Sequence, residues 1–240
     1  MDNGFINRGV FNTDDGNDTI TGYGSRSGII TDSGSILDTG NGEDFISFTG
    51  SFINRGGVFL GDGNDSIINL RTFAPNFENF NFIGTGDGDD RIWANVIYNE
   101  GVINTGTGND SIMVNKDFLT GGGSIYNNGG RIDTGDGNDS IIADEGFESG
   151  LNNSGSVFLG DGEDYIKGFG SGDFYGGNGN DTLELTPGTY TVGIWGEGGE
   201  SAIFTKGNQL MITSEFEKLK AGNTLYDFTS LTAGQIITVA

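Results

Sequence analysis

The sequence predicts an all-β fold, a parallel β-solenoid, and three observations carry that reading. An eight-residue block recurs eight times: a glycine-rich hexapeptide ending in Asp, then a residue that is polar in all copies but the second, and Ile or Leu. Apolar residues stand at fixed distances ahead of each block. Successive block aspartates lie 17 to 29 residues apart, so a near-constant unit carries a variable remainder, as in coils with loops let out on one side.

In chain order the blocks read TDDGNDTI (Thr13 to Ile20), TGNGEDFI (Thr39 to Ile46), LGDGNDSI (Leu60 to Ile67) and TGDGDDRI (Thr85 to Ile92). They continue as TGTGNDSI (Thr105 to Ile112), TGDGNDSI (Thr134 to Ile141), LGDGEDYI (Leu159 to Ile166) and GGNGNDTL (Gly176 to Leu183). Two positions before each block sit Phe11, Leu37, Val58, Ile83, Ile103, Ile132, Val157 and Phe174, all apolar. Six positions before, Asn recurs as Asn7, Asn54, Asn79, Asn99, Asn128 and Asn153. Eight positions before lie Phe5, Phe52, Phe77, Ile97, Tyr126 and Leu151. The alternation predicts short strands with one apolar face. The 46 glycines among 240 residues exclude helix over most of the chain.

Each coil therefore has two kinds of corner. At one, Asn stacks into a hydrogen-bonded ladder beside a Gly free to take positive φ. The other is the Gly-x-Gly-x-Asp corner, followed by one inward ladder of Ile20, Ile46, Ile67, Ile92, Ile112, Ile141, Ile166 and Leu183. The blocks and the residues ahead of them predict a calcium-binding β-solenoid of about eight coils over residues 1–184. The 185–240 segment reads as a small α/β cap over the end of the rod. Strands are predicted at Tyr190 to Ile194, Ala202 to Thr205 and Ile236 to Val239. A short helix is predicted from Ser214 to Gly222, with Ser214 and Glu217 as a capping box and Gly222 as its stop.

Composition narrows the function. The chain has 34 acidic and 11 basic residues, a formal charge of −23, and neither His nor Cys. That charge argues against nucleic acid as a partner. No run of about 18 apolar residues predicts a transmembrane segment. MDNGFINRGV has no basic and apolar leader pattern, so an extracellular or cell-surface location needs a route without a cleavable N-terminal signal. Without His or Cys the usual triads and thiol nucleophiles are absent, and no catalytic residue is singled out.

An Asp at a fixed point in a tight glycine turn, repeated down the chain, stacks oxygen ligands, and oxygen ligands on flexible turns suit calcium. The candidate ligands are Asp18, Asp44, Asp65, Asp90, Asp110, Asp139, Asp164 and Asp181, for several Ca2+ ions. Stacking carboxylates at the ~4.8 Å strand spacing costs about 0.9 kcal/mol per neighbouring pair even in water, so metal binding is expected to supply folding free energy. The competing reading is a set of solvated corners without metal. Ice binding is disfavoured, because only Thr107 among the outward residues Asp15, Asn41, Asp62, Asp87, Thr107, Asp136, Asp161 and Asn178 is a threonine.

Gly176 to Glu184, GGNGNDTLE, matches the nonapeptide GGxGxDxUx, and the chain resembles the RTX (repeats-in-toxin), or hemolysin-type calcium-binding repeat, family over roughly residues 5 to 184. The resemblance implies a right-handed, β-roll-like solenoid in which the block Asp of one turn and main-chain carbonyls of neighbouring turns share each calcium. It adds Gly61, Asp62, Gly63, Gly86, Gly88, Gly135, Asp136, Gly137, Gly160, Asp161, Gly162, Gly177 and Gly179 to the candidate site. The spacing departs from the family's tandem nine, which places metal along mainly one edge. Asp14 replaces the second Gly in the first block, and Thr107 stands in the fifth where an acidic or amide residue recurs.

The expected function is a calcium-binding structural or interaction module, folding on calcium, with a glycan or surface protein as a further partner. The alternative is a calcium-dependent enzyme or enzyme subunit with its site in the variable loops, which hold Tyr23, Arg26, Arg71, Phe73, Lys116, Phe118 and Phe147. By resemblance the C-terminal segment could also be an uncleaved export signal.

Overall fold

The computed structural model describes residues 4–24, 27–70, 77–115, 122–148, 155–195 and 201–240. The expected loop residues Arg26, Arg71, Phe73, Lys116 and Phe118, and the repeat residues Leu151 and Asn153, lie outside that set.

The described chain is all-β and winds as a parallel solenoid. Each of the first seven coils contributes one strand to each of three sheets, and the eighth to two, so a strand inside a sheet pairs with its counterparts one coil before and after. The first sheet has seven strands, from Phe5–Asn7 to Gly146–Glu148, all parallel. The second begins at Val10–Asn12 and the third at Thr19–Gly22, and both continue past the repeats into the C-terminal segment.

Constant register turns the periodic sequence into three inward columns. In the third sheet Ile20, Ile46, Ile67, Ile92, Ile112, Ile141, Ile166 and Leu183 stack in line, as the alternation predicts, and all are buried. In the second the buried column runs from Leu37 to Val157 and Phe174, with Phe11 in register at the first coil but still 38% exposed. In the first it runs Phe5, Ile29, Phe52, Phe77, Ile97, Ile125 and Phe147, with Phe52 stacked on Phe77 at 4.9 Å. Burying one such side chain contributes about 1.5–3 kcal/mol, so the narrow core is a file of small, repeated contributions.

Three positions, two in the repeat and one in a variable loop, depart from the sequence expectation. Ile125, not Tyr126, faces inward, and Tyr126 stacks outside on Tyr98 at 4.5 Å. Asn127, not Asn128, joins the asparagine ladder, with Asn99 Nδ2 donating to Asn127 Oδ1 at 2.9 Å. Both shifts have one cause: this coil carries an extra residue at its corner, where Gly129 takes φ 72°. Phe147, expected in a variable loop, is instead 2% exposed and ends the first sheet's core column. The ladder itself is continuous from Thr31 through Asn54, Asn79 and Asn99 to Asn127.

The C-terminal segment extends the second and third sheets with strands and forms no α-helix among its described residues. The predicted strands are found at Gly188–Trp195, Ser201–Lys206 and Ile236–Val239, joined by Gln209–Ser214 in antiparallel pairings. The Ser214 to Gly222 helix is not formed. Glu215 sits at φ 62°, outside the helical region, and Lys218–Ala221 extends the third sheet beside Thr182–Leu185. Sheet hydrogen bonding with the last repeat outcompetes the weak local capping signal. The only helical turn among the described residues is a 3₁₀ turn, Phe228–Ser230. Phe204, Phe216, Leu219, Phe228 and Leu231 bury against the core, whereas Leu210, Leu225 and Ile236 remain exposed. No described helix is long and apolar enough to cross a membrane.

Candidate metal centre

The site is built from the Gly-x-Gly-x-Asp corner. Both glycines of each corner need backbone that other residues rarely adopt. Gly61, Gly86, Gly135, Gly160 and Gly177 have φ between 92° and 110°, and Gly63, Gly88, Gly137, Gly162 and Gly179 between 136° and 157°. Space is equally restrictive: a β-carbon on Gly160 would lie 1.7 Å from the Gly135 carbonyl oxygen of the coil before. In the first corner Asp14 takes the glycine's place at φ 61°, a conformation Asp tolerates better than most residues.

This turn throws its two variable positions outward and its Asp inward. Asp62, Asp136 and Asp161 are exposed, as are the other outward residues expected from the sequence. The block aspartates point into the rod: Asp44, Asp65, Asp90, Asp110, Asp139, Asp164 and Asp181 are all buried, and Asp18 in the first coil is partly covered.

Their hydrogen bonding is uniform. The main-chain N–H of Asp18 donates to Asp44 Oδ1 at 2.8 Å, Asp44 to Asp65 at 2.7 Å, Asp65 to Asp90 at 2.8 Å and Asp90 to Asp110 at 2.8 Å. The chain of bonds runs on through Asp139, Asp164 and Asp181 at 2.7, 2.7 and 2.8 Å. One carboxylate oxygen per coil thus ties it to the coil before. The other does nothing visible: Oδ2 of all eight aspartates is buried with no hydrogen-bond partner. An unsatisfied buried carboxylate oxygen is costly, and eight in single file call for protons or cations.

The electrostatics agree. Burial, opposed in part by the main-chain hydrogen bonds, pushes Asp65, Asp139 and Asp181 up to about 6. Asp90 and Asp164 rise to about 7, also from burial, with neighbouring aspartates adding to the rise. Asp110 is raised for the same first reason. The hydroxyls of Thr85, Thr105 and Thr134 stand beside Asp90, Asp110 and Asp139, and each donates to the carbonyl one coil further on.

The donor set fits a hard cation in kind, being carboxylate, carbonyl and hydroxyl oxygen throughout. Among the described residues no three acidic side chains close on one point, so an ion here needs main-chain oxygens to complete its shell. Several corner carbonyls already accept an amide, such as Asp87 from Gly63 at 2.7 Å and Asp161 from Gly137 at 2.7 Å. A carbonyl oxygen keeps a second lone pair, so these bonds leave it able to coordinate.

One residue of this array was expected from the sequence only as half of a helix capping box, not as a site residue. Glu217 Oε2 accepts the main-chain N–H of Asp181 at 2.7 Å, the role each block Asp plays for the coil before it. Glu217-Lys218-Leu219 repeats the acidic–polar–apolar order of Asp181-Thr182-Leu183, a signal obscured because no glycine corner precedes it. No family model matches the chain, and no curated protein matches it.

Proposed function

We propose that this chain is a calcium-binding β-solenoid of the RTX-like kind, an extracellular or cell-surface structural or interaction module that completes its fold when calcium loads. The observation that carries the reading is the row of eight buried Oδ2 atoms without partners, one per glycine corner. Calcium takes six to eight oxygens in flexible geometry, and repeated turns offer carboxylate and carbonyl oxygens in that way.

In this reading Asp44, Asp65, Asp90, Asp110, Asp139, Asp164 and Asp181 hold the ions from inside the corner, with Asp18 contributing in the first coil. Gly61, Asp62, Gly63, Gly86, Gly88, Gly135, Asp136, Gly137, Gly160, Asp161, Gly162, Gly177 and Gly179 shape the turns that supply carbonyls. Calcium contributes charge neutralisation of the carboxylate file. Because the Oδ2 atoms are sealed from water, an ion enters as a coil closes, which makes loading and folding one process. A formal charge of −23 keeps the unloaded chain open by self-repulsion until it meets calcium.

Circular dichroism with chelator and then millimolar calcium tests this. Strand signal should fall in chelator and return with calcium, and return weakly with magnesium, which prefers rigid six-fold geometry and retains its waters. Identical spectra and melting in chelator and calcium would overturn the reading.

A further inference from the structure

The repeat ends at Leu183 in the sequence, but the hydrogen-bond ladder does not. Lys218 and Leu219 pair with Thr182 and Leu183, and Lys218 N–H donates to the Asp181 carbonyl at 2.9 Å, as Thr182 N–H does to Asp164 at 2.8 Å. Glu217 therefore stands where a ninth block Asp would be. The corner before it is cut short. Ser214 pairs with Tyr175, yet reaches Glu217 in three residues where the coil below takes six from Tyr175 to Asp181. The longer glutamate side chain spans the missing turn, and Glu215 takes up the shortened path at φ 62°. A non-glycine residue held there is strained, and such strain gathers at functional positions.

The omitted turn leaves a cleft of about 420 Å³ at the joint, lined by Asn180, Glu215, Phe216, Glu217, Lys218 and Asp227 among others. Two oxygens come close at the same joint: a β-carbon placed on Gly176 would lie 1.8 Å from the Glu215 carbonyl oxygen and 2.9 Å from Asp181 Oδ2. That Oδ2 is fully buried and without a partner. Lys218 is held by Asp227, and among the described residues Glu217 makes no ion pair.

We propose that Asp181, Glu217 and the Glu215 carbonyl form a terminal site for a hard divalent cation, calcium, at the joint between rod and cap. This rests on the calcium reading of the repeats and adds a site that the repeat motif does not announce. The ion would fasten the C-terminal segment onto the last coil, so that capping follows calcium loading.

The test counts calcium ions per folded chain by native mass spectrometry and calorimetry. It compares the full wild-type chain with Glu217→Gln and Glu217→Ala. Gln keeps an oxygen to accept the Asp181 N–H, so a purely structural role predicts unchanged stoichiometry for Glu217→Gln. The proposal predicts one calcium fewer in both variants. An unchanged count in Glu217→Gln would overturn the terminal site while leaving the repeat sites standing. A wild-type chain that binds no calcium would overturn both. Independently of how the variants fold, wild-type crystals grown in calcium should show an ion at about 2.3–2.6 Å from Asp181, Glu217 and the Glu215 oxygen. Ions at the repeats with none at this joint would also reject the proposal.

Discussion

The main-chain N–H of Asp110 donates to Oδ1 of Asp139 at 2.7 Å, across 29 residues of sequence, and leaves Asp139 Oδ2 buried and unbonded. One carboxylate thus does two separable things: it ties adjacent coils together and it presents an oxygen that needs a cation or a proton.

Substitutions at Asp139 separate those tasks. Asp139→Ala removes the acceptor for a buried amide and should cost about 1–3 kcal/mol on that account, besides lowering calcium affinity. Asp139→Asn retains an acceptor for Asp110 and should lose calcium affinity with a smaller loss of metal-free stability. Calcium titration and denaturant melts on both variants check this. Unchanged affinity and stoichiometry in Asp139→Ala would remove Asp139 from the ligand set.

Ile141 is the contrasting position. It is fully buried in the third sheet's inward column, two residues beyond Asp139. Ile141→Ala should cost about 2–5 kcal/mol through a cavity, with the number of calcium ions per folded chain unchanged. Chemical denaturation in saturating calcium, beside an ion count, measures the two effects.

Corner glycines should be intolerant for a steric reason that can be isolated. In Gly160→Ala the new methyl group would meet the Gly135 carbonyl 1.7 Å away, at φ 108°. A loss beyond about 4 kcal/mol is expected, in the exceptional range for a single change. At Gly9 nothing lies within 4 Å of the same atom, so Gly9→Ala should be well tolerated. Comparable melting temperatures for the two variants would contradict the stacking of the corners.

The raised aspartates set a pH dependence with a definite sign. Folded values near 6 for Asp65, Asp139 and Asp181, and near 7 for Asp90 and Asp164, stand above the ordinary carboxylate value of 3.8. In chelator the native state therefore binds more protons than the unfolded chain between those values. Stability from these groups is fully present below the unfolded value and is lost as pH rises through 6 to 7. Calcium needs the deprotonated ligands, so its affinity should fall as pH drops through the same interval. Urea melts from pH 4 to 8, with and without calcium, should show opposite slopes, and parallel slopes would refute the assignment.

Deleting Pro187 to Ala240 removes the strands that cover the last coil. Thr182–Leu185 and Gly172–Gly179 would then lose the partners Lys218–Ala221 and Gln209–Ser214. Open strand edges pair readily with one another. The truncated chain should still bind calcium but grow by end-to-end association, seen as concentration-dependent light scattering. A monomeric, well-folded product would show that the segment is not needed as a cap.

The sequence by itself determined the solenoid, because the block recurs with its aspartate and its Ile or Leu in constant order. Stacking such units in register needs no more information than the repeat, and the eight inward residues of the third sheet were readable on that ground. Local irregularity was not. An extra residue at Gly129 moved the inward position to Ile125 and the ladder to Asn127. Phe147 entered the core because its segment pairs with Ser124–Asn127. The Ser214 to Gly222 stretch carried a capping pattern for a helix, yet pairing with Thr182–Leu185 overrode it. Only the tertiary structure decided that the block aspartates turn inward, sharing one oxygen and isolating the other. That choice depends on amides one coil away, brought within reach by winding, and no spacing within a single block encodes it.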